Sequence, residues 1–216
     1  MLPVVDLLFP LVLFAQNLVT DLGYPGVFLV AFLENFFPPL PSELIFPFVG
    51  FVAGTGRLDL LLVVISGTLG ALAGALFWYA LGYLLGRANL KVLIERYGRP
   101  LRISFSGVER AERWFERYER PAVFFGRLVP LVRTFISVPA GFVRMPLPWF
   151  LLYSFAGTFF WTGALSGGGY LLGERWEKIV PFVQNYELIS GVLIAAVLVF
   201  ALAWILKSSA PSRREG

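Results

Sequence analysis

The chain of 216 residues has no cysteine and no histidine. Without cysteine there is no disulfide and no thiolate metal site. Without histidine there is no Ser-His or Cys-His nucleophile pair, no phosphohistidine and no HExxH zinc site. Most familiar intramembrane hydrolases and lipid phosphatases are thereby excluded. No other catalytic, cofactor or metal constellation is visible, so the chain reads as a non-enzyme. Charge is also scarce. Only 15% of residues are charged and 57% are hydrophobic, whereas a soluble domain carries about 25% charged residues. Three runs lack charge altogether: Leu60–Leu85, Met145–Gly173 and Leu188–Leu206. Each can cross a hydrocarbon core, which takes about 20 helical residues.

What is present is repeated. Gly82-Tyr83-Leu84-Leu85-Gly86 and Gly169-Tyr170-Leu171-Leu172-Gly173 each close an apolar run. Upstream, each run carries Gly-Phe-Val (from Gly50 and Gly141) and then Gly-Thr (from Gly67 and Gly157). Three matches in one order mark an internal duplication, a feature of many transporter folds. Glycine also recurs at four-residue spacing: Gly50/Gly54, Gly70/Gly74, Gly82/Gly86, Gly163/Gly167 and Gly169/Gly173. Small residues so spaced let helices approach closely in lipid.

Nine of the 18 basic residues fall between Arg87 and Arg120, and Lys207, Arg213 and Arg214 lie near the C-terminus. Cytoplasmic loops carry the Lys/Arg excess, so both regions are expected inside. The net charge of +4 then reflects orientation rather than nucleic-acid binding. The two repeat copies cross in opposite directions. The expected fold is all-α: a polytopic membrane protein with an inverted repeat, two opposed re-entrant helical hairpins and about three full transmembrane helices. One membrane domain covers 1–216. Residues 1–26 form an N-terminal interfacial helix, 27–58 the first re-entrant hairpin and 60–86 a transmembrane helix. Residues 87–120 form a cytoplasmic amphipathic region, with Val108, Ala111, Trp114, Phe115 and Tyr118 on one helical face. The second hairpin is 121–146, the further transmembrane helices are 147–173 and 187–207, and 208–216 is a cytoplasmic tail.

The hairpins carry the chemistry. Pro38, Pro39, Pro41 and Pro47 stand within ten residues, and such a run cannot be a continuous helix. The flanking apolar pieces are too short to span singly. Irregular backbone at membrane depth is tolerated only inside protein or beside water. Glu34 and Glu43 lie in this first hairpin. Pro130 and Pro139 break the second, which carries Arg127 and Arg133. In an inverted repeat the two tips meet. An ionisable group at the bilayer centre costs from about 2.5 kcal/mol upward, so these four are either structural salt bridges or a site. The site reading is an anionic head group bound by arginine, whose planar fork matches phosphate, beside a protonatable carboxylate.

The residues Glu34 to Glu43 followed by Gly50-Phe51-Val52-Ala53 resemble the DedA family of bacterial membrane proteins, also called the SNARE-associated or VTT-domain superfamily. So do Phe125-Gly126-Arg127-Leu128-Val129-Pro130, Arg133-Thr134, Ser137 and Pro139-Ala140-Gly141. Phe77-Trp78-Tyr79, Leu81-Gly82 and Gly86 fit the span between. The resemblance implies opposed re-entrant hairpins with turns at Pro38, Pro39, Pro41, Pro130, Pro139 and Gly141. It also implies a multi-pass protein of the bacterial cytoplasmic membrane that returns undecaprenyl phosphate to the cytoplasmic leaflet, driven by protons. The family's essential arginines map onto Arg127 and Arg133, and its acids onto Glu34 and Glu43. Many relatives have Gly-Asp-Ser where this chain has Pro41-Ser42-Glu43, so the second acid is shifted. On this reading Arg127 and Arg133 hold the phosphate, with Ser42, Thr134 and Ser137 as further donors, and Glu34 and Glu43 exchange protons. The partners are membrane lipids, above all an anionic polyprenyl phosphate, and no nucleic acid; self-association into a homo-oligomer stays open. A phospholipid scramblase, a proton-coupled carrier of small solutes and a structural membrane scaffold are the alternatives.

Overall fold

The computed structural model describes residues 3–36, 42–101, 105–173 and 175. Among these every regular element is a helix: α1 (Pro3–Leu22), α2 (Tyr24–Phe36), α3 (Ser42–Gly54), α4 (Leu60–Leu101), α5 (Phe105–Gly126), α6 (Pro130–Phe135), α7 (Ser137–Phe142) and α8 (Leu147–Leu172). Residues 37–41, 187–207 and 208–216 lie outside the described residues. With them lie the turn prolines Pro38, Pro39 and Pro41, the third expected span and the tail.

Glycine and proline set the boundaries. Gly23, with φ 61°, separates α1 from α2 in a backbone region that favours glycine. Gly86 has φ 52° and ψ 171° and divides α4 into a charge-free part and a basic continuation. The charge-free part, Leu60–Gly86, is the one described helix both long and apolar enough to cross a membrane. The 26-residue α8 matches its length and has no charge, but its glycines and hydroxyls make it less apolar. At 1.5 Å per residue, the 13-residue helices α2 and α3 are each about 20 Å long, short of the roughly 30 Å hydrocarbon core.

The basic region differs from its expected outline. α4 continues past Gly86 to Leu101, and α5 runs on to Gly126 across a break at Tyr118 (φ −121°, ψ 20°). Of the described aromatics on the expected face, Phe115 is buried. Trp114 and Tyr118 are exposed and lie against each other, ring centroids 5.5 Å apart. The N-terminal helix α1 packs through Ala15 and Val19 into one core with Val27, Val30, Ile45, Val49 and Val63.

The short helices take different partners among the long ones. α2 packs along α4 and α3 along α8, while α5 packs along α8 and α7 along α4. Glycines make the crossings close. A Cβ on Gly50 would stand 1.9 Å from the Ser166 carbonyl oxygen, and one on Gly169 would stand 1.9 Å from that of Pro47. The other copy does the same. Gly141 would meet the Tyr79 oxygen at 1.9 Å and Gly82 that of Val138 at 2.1 Å. In each pair the carbonyl belongs to the residue three before the partner glycine. Equivalent positions of the sequence repeat thus make equivalent contacts, α3 seating on α8 and α7 on α4. Gly141 was expected at a hairpin turn. It lies inside α7, where its missing side chain admits α4.

Candidate functional site

The first acid sits in the last turn of α2. Trp78 Nε1 on α4 donates to the Asn35 carbonyl at 3.0 Å, satisfying an acceptor that the helix end leaves open and fixing the adjacent Glu34. Glu43 lies in the first turn of α3. Both acids are buried. On the opposite side, Val129 is extended (φ −108°, ψ 118°), as a residue before proline should be. Pro130 then opens α6, where its missing N–H is harmless, and Arg133 falls in the last turn of α6.

Arg133 joins α6 to α2 and α3. Its Nη2 donates to Glu34 Oε1 and stands 3.9 Å from Glu43 Oε1. The guanidinium lies over the Trp161 ring of α8, 5.8 Å from its centroid. Sequence positions 34, 43 and 133 therefore form one ionic cluster. Glu43 Oε1 is buried without a hydrogen-bond donor.

Arg127 is placed differently. It is 1% exposed. Nη1 donates to the Arg133 carbonyl at 2.6 Å, and Nη2 donates to Ser137 Oγ at 2.9 Å and Ser154 Oγ at 3.1 Å. Its Nε has no acceptor, and the charge lies 5.7 Å from the Phe150 centroid. Among the described residues none of its partners is a carboxylate. A buried cation with neutral partners leaves local positive charge uncompensated. Arg127 thus braces the turn that presents Arg133.

Of the expected extra donors, Ser137 is bound to Arg127. Thr134 is buried one residue from Arg133, and Ser42 begins α3. Pro139 lies in the first turn of α7, a place that tolerates proline. Sequence reasoning missed Ser154, Phe150 and Trp161. It also missed the stripe Ser154, Thr158, Thr162 and Ser166, all buried on α8. Its signal was in plain view: four hydroxyls at four-residue spacing share one helical face. Thr162 Oγ1 and Ser166 Oγ have no hydrogen-bond partner.

A family model described as the VTT domain matches residues 40–171, from just before α3 to the end of α8. The chain belongs to the VTT-domain family. The match takes in Glu43, Arg127 and Arg133, while Glu34 lies ahead of it. Undecaprenyl phosphate transporter A of Staphylococcus aureus (strain NCTC 8325 / PS 47) is 32% identical, over 88% of this chain and 94% of that protein. The protein of the same name in Bacillus subtilis (strain 168) is 29% identical, over 87% and 90%. A Lactococcus lactis subsp. lactis (strain IL1403) protein named "Alkaline phosphatase-like protein" is 35% identical, over 88% and 90%. No solved structure matches. This VTT-domain chain is accordingly a membrane protein, with relatives named as transporters of a lipid phosphate.

Proposed function

We propose that this VTT-domain protein is a flippase that carries undecaprenyl phosphate, or a similar lipid-linked phosphate, across the bacterial cytoplasmic membrane with proton coupling. The observation that carries the reading is Arg133, gripped by Glu34 and Glu43 above the neutral-partnered Arg127. The names of the two transporter relatives support the substrate class. The orientation follows the basic region: 87–120 is cytoplasmic, α4 runs inward and α8 outward. The α2/α3 and α5–α7 segments are then re-entrant hairpins of an inverted repeat, entering from opposite sides.

The acids hold Arg133. An incoming phosphate competes for the same guanidinium, and its charge repels the carboxylates. Protonation of one acid relieves that repulsion and frees the fork for bidentate contact. Arg127 keeps the turn rigid and its charge favours the anion. The lipid tail stays in the bilayer while the head group crosses beside the hydroxyls of α8.

A phosphatase reading, suggested by the name of the Lactococcus relative, finds no support in the residues. The sequence has no histidine or cysteine, and among the described residues Arg127 and Arg133 meet no aligned nucleophile–base pair. The deciding experiment is reconstitution in liposomes with undecaprenyl phosphate and phosphatidylethanolamine as parallel substrates. Selective movement of the prenyl phosphate is expected. Equal rates for both lipids would make the protein a general scramblase.

A further inference from the structure

Away from the ionic cluster, a cleft of about 720 Å³ lies between the end of the charge-free part of α4 and the α7–α8 connection. Leu76, Ala80, Leu84 and Leu147 give it apolar walls, and Tyr83 and Arg144 its polar groups. Its volume falls in the roughly 300–1,000 Å³ range of small-ligand sites. One residue in it breaks a local rule. Helix α7 ends in a Schellman motif: Met145 N–H donates to the Ala140 carbonyl at 3.0 Å and Arg144 N–H to that of Gly141 at 3.0 Å. The position between them demands a left-handed backbone and is usually glycine. Here it is Arg144, with φ 56°, the one described non-glycine residue at positive φ. Such a residue costs of order 1 kcal/mol, and strain of this kind persists where function needs the side chain.

The strained residue is firmly held. Tyr79 Oη donates to the Met145 carbonyl at 2.5 Å, and Met145 is 1% exposed. The Arg144 guanidinium lies over the Tyr83 ring, 5.2 Å from its centroid. Among the described residues no carboxylate lies within 4.0 Å of it. Helix α8 starts in the same wall, at Pro146 and Leu147, with no side-chain cap, so its positive dipole end adds to the mouth. Nearby, the Arg120 guanidinium lies over the ring of Trp149 in the first turn of α8, 4.3 Å from its centroid. The half-exposed Tyr83 and the exposed Leu84 leave the apolar wall open at its side.

We infer that this cleft is a second, rim site for a lipid phosphate, with the phosphate on Arg144 and Tyr83 and the first part of a single hydrocarbon chain along Leu76, Ala80, Leu84 and Leu147. The inference rests on the flippase reading for its lipid. In the proposed orientation the cleft opens at the cytoplasmic boundary, where a head group arrives or departs. A free phosphate would lack any reason for the apolar walls, so the amphiphile is the occupant.

The test uses the full chain in nanodiscs with photoreactive farnesyl phosphate, photoreactive farnesol, and inorganic phosphate as competitor. Farnesyl phosphate is expected to label residues 76–84 and 143–147. Arg144→Gly should cut that labelling about tenfold or more while leaving the melting temperature unchanged or raised, because glycine suits the left-handed position. A purely structural arginine would not show that opposition. Equal labelling by farnesol, undiminished labelling of Arg144→Gly, or full competition by millimolar inorganic phosphate overturns the rim site. Flux is read in parallel for Arg133→Lys. If that variant transports normally while rim labelling persists, the central reading fails and the rim site stands. If rim labelling is missing while Arg133→Lys loses flux, the rim site alone fails.

Discussion

Arg127 and Arg133 stand six residues apart in one motif and do different things. The motif named both, but nothing local in it divides their roles. The division comes from Ser154, 27 residues away, and from Glu34, 99 residues away. Long-range partners of that kind leave no mark in the spacing. Arg133, on the partly exposed side, trades one ion pair for another and adds little to the fold. Arg127 satisfies a carbonyl and two hydroxyls inside the protein. Arg133→Lys should therefore keep the melting temperature near wild type yet lower flux about tenfold or more, since an ammonium cannot make the bidentate contact. Arg127→Lys should lower both, because Ser137 and Ser154 lose their shared donor and unpaired buried groups cost about 1–3 kcal/mol each. Thermal unfolding in detergent beside flux in liposomes reads the two effects separately. A stable Arg127→Lys with wild-type unfolding would remove its bracing role.

At the level of helices, the repeated pentapeptide has a physical explanation. Its first glycine, Gly82 or Gly169, admits a crossing backbone; its last, Gly86 or Gly173, takes positive φ (52° and 53°) and breaks or ends the helix. The four-residue spacing was legible in the sequence, but not which members pack. On α8, Gly169 is pressed against the Pro47 carbonyl, whereas Gly163 meets only a Val64 methyl at 3.7 Å and Gly167 meets nothing within 4 Å. That depends on which face of α8 turns inward, and the glycine spacing alone does not say which. Gly50→Ala and Gly141→Ala should each destabilise by about 1–3 kcal/mol or more, the cost of overpacking. They should do so by similar amounts, since their crossings are equivalent. Gly167→Ala should be neutral or stabilise by up to about 1 kcal/mol through helix propensity. Thermal unfolding of the three variants checks the pattern. An intact Gly141→Ala protein would mean that α7 does not sit on α4 as described.

Across the whole molecule, the duplication was readable because the same residues recur in the same order, and the broken segments and the four charges because each violates what lipid allows: charge, proline and unpaired backbone are costly there. The seating of α3 on α8 and of α7 on α4 was not, since it is a choice among apolar surfaces. The proposed orientation rests on the basic region alone and is open to direct measurement. The chain has no cysteine, so single cysteines report cleanly. Residues 38–42 should label from outside and 104–118 from the cytoplasm; the reverse pattern would invert the proposed topology.

Coupling is the sharper question, because Arg133 touches two acids and only one need carry the proton. Glu34 makes the hydrogen bond, while Glu43 stands 3.9 Å away with an oxygen lacking a donor. Removing the charge of Glu34 loosens the grip on Arg133 most. Phosphate entering beside a carboxylate brings like charge, which proton uptake relieves. Flux should thus rise when the side supplying the phosphate is made acidic. Glu34→Gln mimics the protonated acid: it should bind lipid phosphate as well as wild type or better, yet lose the response to an imposed pH difference. Glu43→Gln should keep part of that response, since the hydrogen-bonded acid remains. The measurement is flux in proteoliposomes with and without the gradient for wild type and both variants. Wild-type flux indifferent to the gradient would make this a passive scramblase, with Glu34 and Glu43 serving only to hold Arg133 in place.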